Sequence, residues 1–345
     1  MEIVRPLEPP RAAATVVADA SQVAEARRTA SALARAVGLD EVREGTVALI
    51  VTEAATNIVK HAAGGGHIIV SPIEDPVVRG VEILALDKGA GMPNVQECLD
   101  DGYSTTGTQG AGLGAIRRQA DEFDICSVAG QGTAVLARVF TEPRRRQADG
   151  APFRIAGVCL PVAGERVSGD AWTWSAHPAA PRILVTDGLG HGPYAAEAAA
   201  AAAAAFRANV GLPLVALLEA IHDALRSTRG AVVAVAELDS LRDEVRYAAV
   251  GNISAAVVSA GRQHNMVSMN GTMGYTVGRM REFSYAWTQD AVLVLHSDGL
   301  GRKWSLDDYR GLAARDPALI SGVLWRDHAR GRDDVTVVVA KKAGR

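Results

Sequence analysis

Apolar residues along this chain recur with two periods, and the points where one gives way to the other mark out its elements. Between residues 21 and 62, Val23, Ala26, Ala30, Leu33, Ala34 and Val37 stand at helical spacing, Gly38 stops the run, and a second helical run begins near Asp40. Beyond Gly64-Gly65-Gly66 the runs shorten to strand length, from His67 to Ser71 and from Val81 to Leu86. A helix is predicted over Ala115 to Phe123. Strands are then expected at Ile155 to Leu160, Ile183 to Val185, Val232 to Leu238, Val245 to Val250, Ala255 to Ser259 and Val292 to Leu295, with helices near residues 193 to 209 and 213 to 228. The Ala-rich stretch Ala195 to Ala205 belongs to the first of these helices, alanine being the best helix former, and is too short and weakly apolar to span a membrane. This alternation predicts an α+β class, with a layered β-sandwich covered by helices in the second half.

Composition changes the picture only by exclusion. At 345 residues, with 48% apolar and 22% charged residues, the chain has room for two soluble domains with their own cores. The break is expected at residues 141 to 152, where Pro143, Arg144-Arg145-Arg146, Gly150 and Pro152 interrupt all periodicity. That gives domains at 12–140 and 153–341. A net charge of −3 supplies no basic field for nucleic acid and no cationic anchor for membrane. Cys98, Cys126 and Cys159 are widely spaced, which disfavours a disulfide framework and a zinc site. The first residues lack a signal-peptide core, so a cytoplasmic protein is expected, with neither nucleic acid nor membrane as partner.

Four acids stand out beside the apolar strands of the second half. Asp187 follows Ile183-Leu184-Val185 and leads into Gly188-Leu189-Gly190-His191-Gly192; Asp170 lies in Ser168-Gly169-Asp170; Asp298 closes Leu293 to Gly299; and Asp333 precedes Val335 to Val339. Any one Asp-Gly pair is most simply a turn. Four at strand ends suggest a site for hard cations, which take carboxylate, carbonyl and water oxygens and, in pairs, activate water against a phosphoryl group.

The order of these acids resembles the metal-dependent phosphatases of the protein phosphatase 2C class, in the compact SpoIIE-like and RsbX-like branch, over about residues 152 to 341. The resemblance implies an αββα sandwich and two Mn²⁺ or Mg²⁺ ions. It implies that Asp170 bridges the ions, that Asp187 offers its carboxylate and Gly188 its carbonyl, and that Asp298 and Asp333 are the late metal ligands. Asp170 and Asp187 are then catalytic through the metals. Asp333 is preferred to Asp334 because the last motif of that family is an Asp followed by Asn or Asp, an apolar residue and Thr. Gly251-Asn252 also resembles a turn of that family, but reads equally well as a hairpin.

In the first half, Glu53, Asn57 and Lys60 share one helical face, which is either a solvated face or a site. Asp87-Lys88-Gly89-Ala90-Gly91-Met92 and Gly107 to Gly114 follow. Helix and glycine boxes in this order resemble the GHKL (Bergerat-type) ATPase and histidine-kinase-like fold, an α/β sandwich, and within it the RsbT and RsbW serine kinases, over about residues 12 to 140. Tyr103-Ser104-Thr105-Thr106 and Gly130-Gln131-Gly132-Thr133 favour the RsbT side. The resemblance implies ATP with Mg²⁺: Asn57 on the metal, Asp87 on the adenine amino group, and Thr133 at the nucleotide pocket. Gly89 and Gly91 let the backbone turn near the base, while Gly110, Gly112 and Gly114 present N–H groups to phosphates. Glu53, one turn before Asn57, orients or deprotonates a serine hydroxyl, and Lys60 either steadies phosphates or lies on the surface.

Together these imply a bifunctional regulator of bacterial partner switching, a serine kinase module fused to a phosphoserine phosphatase, acting on STAS-domain anti-sigma antagonists or stressosome-type proteins. Two alternatives stand beside it: a phosphatase whose first domain only senses ATP or binds partners, and a non-enzymatic scaffold for the same partners.

Overall fold

The computed structural model describes residues 11–73, 78–99, 112–142, 152–175 and 180–343. The chain divides into two compact units, Met1–Arg145 and Arg146–Arg345.

The first unit comprises β1 (Ala13–Val17), α1 (Ala20–Ala36), α2 (Glu41–His61), β2 (Gly66–Pro72), β3 (Gly80–Asp87), α3 (Val95–Leu99), α4 (Gly112–Gln119), β4 (Glu122–Val128) and β5 (Gly132–Phe140). Its five strands form one antiparallel sheet in the order β1-β2-β3-β5-β4. Alternate residues Ile68, Val70, Ile83, Ala85, Val135 and Ala137 share a core with Ala26, Ala30, Val47, Ile50, Val51 and Ala54 of the two long helices. The period-2 face of the sheet thus meets the period-3.6 face of each helix. Asp19 caps α1 in a capping box with Gln22, and Asp40 caps α2 through Arg43 N. The helix expected over Ala115 to Phe123 is α4, which starts and ends earlier. Phe123 lies on β4 opposite Ala137, so strand pairing overrides the local helical spacing.

The second unit comprises β6 (Phe153–Leu160), β7 (Asp170–Trp174), β8 (Arg182–Gly188), α5 (Pro193–Asn209), α6 (Leu214–Leu225), β9 (Ala231–Asp239), β10 (Glu244–Val250), β11 (Ser254–Ser259), β12 (Arg262–Asn265), β13 (Phe283–Ala286), β14 (Val292–His296), α7 (Pro317–His328) and β15 (Val335–Lys342). Two five-stranded sheets, β13-β10-β9-β8-β7 and β12-β11-β14-β15-β6, enclose a core that includes Ile183, Val185, Ala234, Tyr247, Leu293, Leu295, Trp287 and Val338. Helices α5 and α6 cover the first sheet through Ala198, Ala202, Phe206, Leu217 and Ile221, which meet Leu184, Val233 and Val235. Helix α7 packs on β6 and β15 of the second. The result is an αββα sandwich.

Helix α6 ends before the expected residue 228, and β8 runs through Gly188, so Asp187 and Gly188 belong to the strand itself. Among the described residues, no helix is long and apolar enough to cross a membrane.

Candidate functional site

Each unit gathers its own polar centre. In the first, Glu53 and Asn57 stand one turn apart on α2, and α4 begins directly against them. A side chain at Gly112 would come within 3.1 Å of Asn57 Oδ1 and 3.5 Å of Glu53 Oε2, so only glycine leaves this space open. Gly114 is buried in the same first turn of α4. Among the described residues, Asn57 Nδ2 is buried without a hydrogen-bond partner. An orphaned amide of this kind costs about 1–3 kcal/mol unless another group satisfies it. The orphan and the cradle fit a phosphate-bearing ligand entering at a helix start.

Asp87 ends β3, where its Oδ1 accepts from Gly89 N at 2.7 Å and Thr133 N at 3.3 Å. Thr133 Oγ1 lies 2.9 Å from Ser127 Oγ, which in turn accepts from Met92 N at 2.8 Å. Backbone crowding explains the glycines: a side chain at Gly91, with φ of +68°, would stand 2.1 Å from Val128 O, and one at Gly132 would stand 2.0 Å from Asp87 O. Asp87, Gly89, Gly91 and Thr133 therefore form one connected wall. Lys60 is exposed in the last turn of α2, and no described contact ties it to Asn57. Gly110, the Gly107 to Ala111 run and Tyr103 to Thr106 lie outside the described residues, as does most of the expected linker.

In the second unit, Asp170 opens β7 and stands opposite Asp187 on β8. Asp170 is buried and accepts from Ser297 Oγ at 2.6 Å, while Thr336 N donates to the same Oγ at 2.9 Å. Asp298 accepts from Asn252 Nδ2 at 2.8 Å; the Gly251-Asn252 turn is not a hairpin, since it leads from β10 of one sheet to β11 of the other, and it supports an acid. Asp334 is 2% exposed and accepts from Val162 N at 2.7 Å and Gly169 N at 2.6 Å, which pins the segment leading into Asp170. Neighbouring Asp333 is less enclosed and lies within the electrostatic reach of Asp298. The family resemblance prefers Asp333 as the ligand by motif; the hydrogen bonds give Asp334 the task of holding backbone.

Close packing sets these strand ends. A side chain at Gly188 would stand 2.2 Å from Ala195 O, one at Gly169 would stand 2.6 Å from Ala195 Cβ, and one at Gly299 would stand 2.0 Å from Asp334 O. Small residues on α5 let its backbone sit against the end of β8.

Electrostatically the acids form one group. Burial, then Asp170, Asp298, Asp333 and Asp334, push the Asp187 carboxyl up to about 9. Asp170 is pushed up to about 7, first by burial, with the Ser297 hydroxyl holding it down and Asp334 and Asp333 raising it. Asp333 is raised by burial and then by Asp298 and Asp334. Burial pushes the Cys159 thiol up to about 12, so it offers no thiolate to a soft metal.

The donor set is all oxygen, although among the described residues no group of three His, Cys, Asp or Glu side chains is gathered as a metal site. Carboxylate and carbonyl oxygens suit hard ions such as Mg²⁺ and Mn²⁺ rather than zinc. Divalent cations therefore fit, with Asp170, Asp187, Asp298, Asp333 and the Gly188 carbonyl as the residues that would hold them. Sequence reasoning missed the roles of Asn252, Ser297 and Ser127. Ser297 adjoins Asp298 in the motif, and Asn252 lay in a turn already noticed for its glycine.

Comparison with known proteins follows the same division. Residues 16–139 match the histidine kinase-like ATPase domain family, and residues 178–343 match the stage II sporulation protein E (SpoIIE) family. The serine/threonine-protein kinase RsbT of Bacillus subtilis (strain 168) is 36% identical over 115 residues, covering 33% of this chain and 86% of RsbT. Among solved structures, a chain from the bacterial stressosome, a modular system adapted to control secondary messenger signalling, is 28% identical with a TM-score of 0.51, covering 55% of this chain and 99% of that one. RsbX in complex with magnesium is 18% identical with a TM-score of 0.49, covering 55% of this chain and 95% of that one.

Proposed function

The chain belongs to the RsbT family of histidine kinase-like ATPases through its first unit and carries a SpoIIE domain in its second, and from this we propose a bifunctional regulator of partner switching. In this reading the first domain spans residues 12–140 and binds Mg²⁺-ATP to phosphorylate serine. The second spans 153–341 and hydrolyses the phosphoserine of a STAS-domain protein with Mn²⁺ or Mg²⁺. The cytoplasm is its compartment. The observation that carries the phosphatase reading is the crowding of Asp170, Asp187 and Asp333 with Asp298 beside them; the raised carboxyls of Asp170, Asp187 and Asp333 need cations to ionise together.

When bound, the cations supply positive charge to the phosphoryl oxygens and lower the pKa of a water. The chain's own residues hold that arrangement in register. Ser297 orients Asp170, Asn252 orients Asp298, and Asp334 fixes the backbone before Asp170. In the first unit, Glu53 faces the same space as Asn57, where it positions the accepting hydroxyl, while Asp87 and Thr133 receive the base. Lys60, Gly89, Gly91, Gly110, Gly112 and Gly114 complete the nucleotide site in this reading.

Because a tether raises the effective concentration of each module at a partner held by the other to roughly the millimolar range, both units are proposed to act on one residue. The test incubates the full chain with ATP, Mn²⁺ and the STAS-domain proteins of the same genome. Asp187→Asn should accumulate phosphorylated partner, with phosphatase turnover reduced at least about 100-fold. Asn57→Asp should strip a partner phosphorylated beforehand. Near-full Mn²⁺-dependent turnover in Asp187→Asn would remove the metal assignment, and different phosphosites in the two reactions would separate the two activities.

A further inference from the structure

Beside the acids of the second unit lies a surface that the chemistry above does not use. Leu189, immediately after the Asp187-Gly188 pair, is 42% exposed; Tyr194 in the first turn of α5 is 63% exposed; and Tyr275 is 62% exposed. They are contiguous. Leu189 N donates to Gly230 O at 3.0 Å, and a side chain at Gly230 would stand 2.8 Å from the Tyr275 ring. Between them sits exposed Arg229, its guanidinium 4.9 Å from the centre of the Tyr194 ring and its Nη1 3.3 Å from where a side chain at Gly190 would begin. Gly230, with φ of +77°, leaves room for the Tyr275 ring against its backbone, directly after Arg229 in the chain.

Large side chains left in water at this density mark contact surfaces, and tyrosine with arginine is the pairing that binding hot spots favour. Arg229 stands out for its sign, since the site beside it is built from carboxylates. A cation stacked on an aromatic ring at the edge of such a site attracts an acidic group and is held there at little entropic cost.

We propose that Leu189, Tyr194, Arg229 and Tyr275 form the docking surface for the phosphorylated protein substrate. The partner is a phosphoprotein that carries apolar side chains and an acidic side chain next to its phosphoserine. The aromatic pair receives the apolar group, Arg229 receives the acidic one, and the phosphoserine is thereby delivered to the acids beyond Gly190. The surface is continuous with the site through Leu189 and Gly190, so it selects the protein rather than the phosphate. This inference rests on the phosphatase reading.

The experiment compares two substrates on the full chain: para-nitrophenyl phosphate, and serine-phosphorylated STAS-domain proteins of the same genome. A Tyr194→Ser/Tyr275→Ser double variant and Arg229→Glu should each raise KM for the phosphoprotein at least about tenfold, with Arg229→Lys restoring most of the loss. Turnover of para-nitrophenyl phosphate should stay within about twofold, and the melting temperature should not change. Equal KM for the phosphoprotein in wild type and variants overturns the docking surface alone. A parallel loss on both substrates overturns it too, because the residues would then serve the chemistry. A gain on para-nitrophenyl phosphate also overturns it, showing instead that the patch is a cover closed from within the chain. Wild type inactive on both substrates brings down the phosphatase reading and this inference with it.

Discussion

Around Asp87 the first unit pairs its polar atoms with one another, through Gly89, Thr133, Ser127 and Met92, whereas around Asp187 the second unit turns its carboxylates toward each other. The first site is nearly finished as hydrogen bonding, with one amide, Asn57 Nδ2, left over. The second is finished as hydrogen bonding only at its supports, Ser297, Asn252 and the backbone held by Asp334; its centre is unfinished as electrostatics. One site therefore waits for a ligand that fills a space, and the other for a ligand that cancels a charge.

After the loss of turnover in Asp187→Asn, the largest expected effect comes from attacking the leftover amide. Asn57→Asp puts a carboxylate where phosphates are to sit, beside Glu53, and should weaken ATP binding by calorimetry at least about tenfold while leaving Mn²⁺-dependent hydrolysis of para-nitrophenyl phosphate intact. Asn57→Ala sharpens the contrast, since removing an unpaired buried group should cost affinity without lowering the melting temperature. Unchanged ATP affinity in both variants would break the comparison on its first side.

A pH titration of stability addresses the second side. In the folded chain without metal, Asp187 and Asp170 keep protons that the unfolded chain has released above pH about 4. Stability should therefore fall as pH rises, the Asp170 contribution being lost up to about 7 and that of Asp187 up to about 9. Between pH 7 and 9 the metal-free melting temperature should decline, and Asp187→Asn or added Mn²⁺ should flatten the decline. His67, half-buried in the first unit, is depressed and does not contribute a slope in that range. A metal-free profile that is flat or rising between pH 7 and 9 would show that the carboxylates do not crowd each other.

The smallest effect is expected at a support. Asn252→Ala releases Asp298 from its only described side-chain donor and should weaken Mn²⁺ activation about tenfold, with little change in melting temperature. No change in the Mn²⁺ concentration needed for half-activation would make that bond incidental.

Much of this was legible in the sequence, for reasons that differ between elements. Strand runs such as Val232 to Leu238 and Val292 to Leu295 are buried on both faces, and continuous apolar residues announce that burial. The edge strand β12 is polar and wholly exposed, and β13 is four residues that alternate half-buried and exposed, so neither carries such a run. Phe123 was drawn into a helix by local spacing, although its partner, Ala137, is visible only in the sheet. The Ala-rich run from 195 to 205 declared a helix, but not that the small side chain of Ala195 lies against Gly169. Asp334 was recognised as an acid beside a ligand; that it binds Val162 and Gly169, far away in the chain, depends on contacts no local pattern encodes.

The last strand, β15, lies between β14 and β6, with Lys342 opposite Phe153 and Val335 opposite Leu160. The first and last strands of the second unit are thus neighbours, and the acid that pins the approach to Asp170 comes just before the final one. During synthesis the first unit is complete once Phe140 has emerged, and can fold and meet its ligands while the rest is still being made. In the second unit, edge strand β6 stays unjoined to β14 until the residues of β15 leave the ribosome. Every newly made molecule therefore passes through an interval in which the nucleotide-binding half exists and the metal-binding half does not.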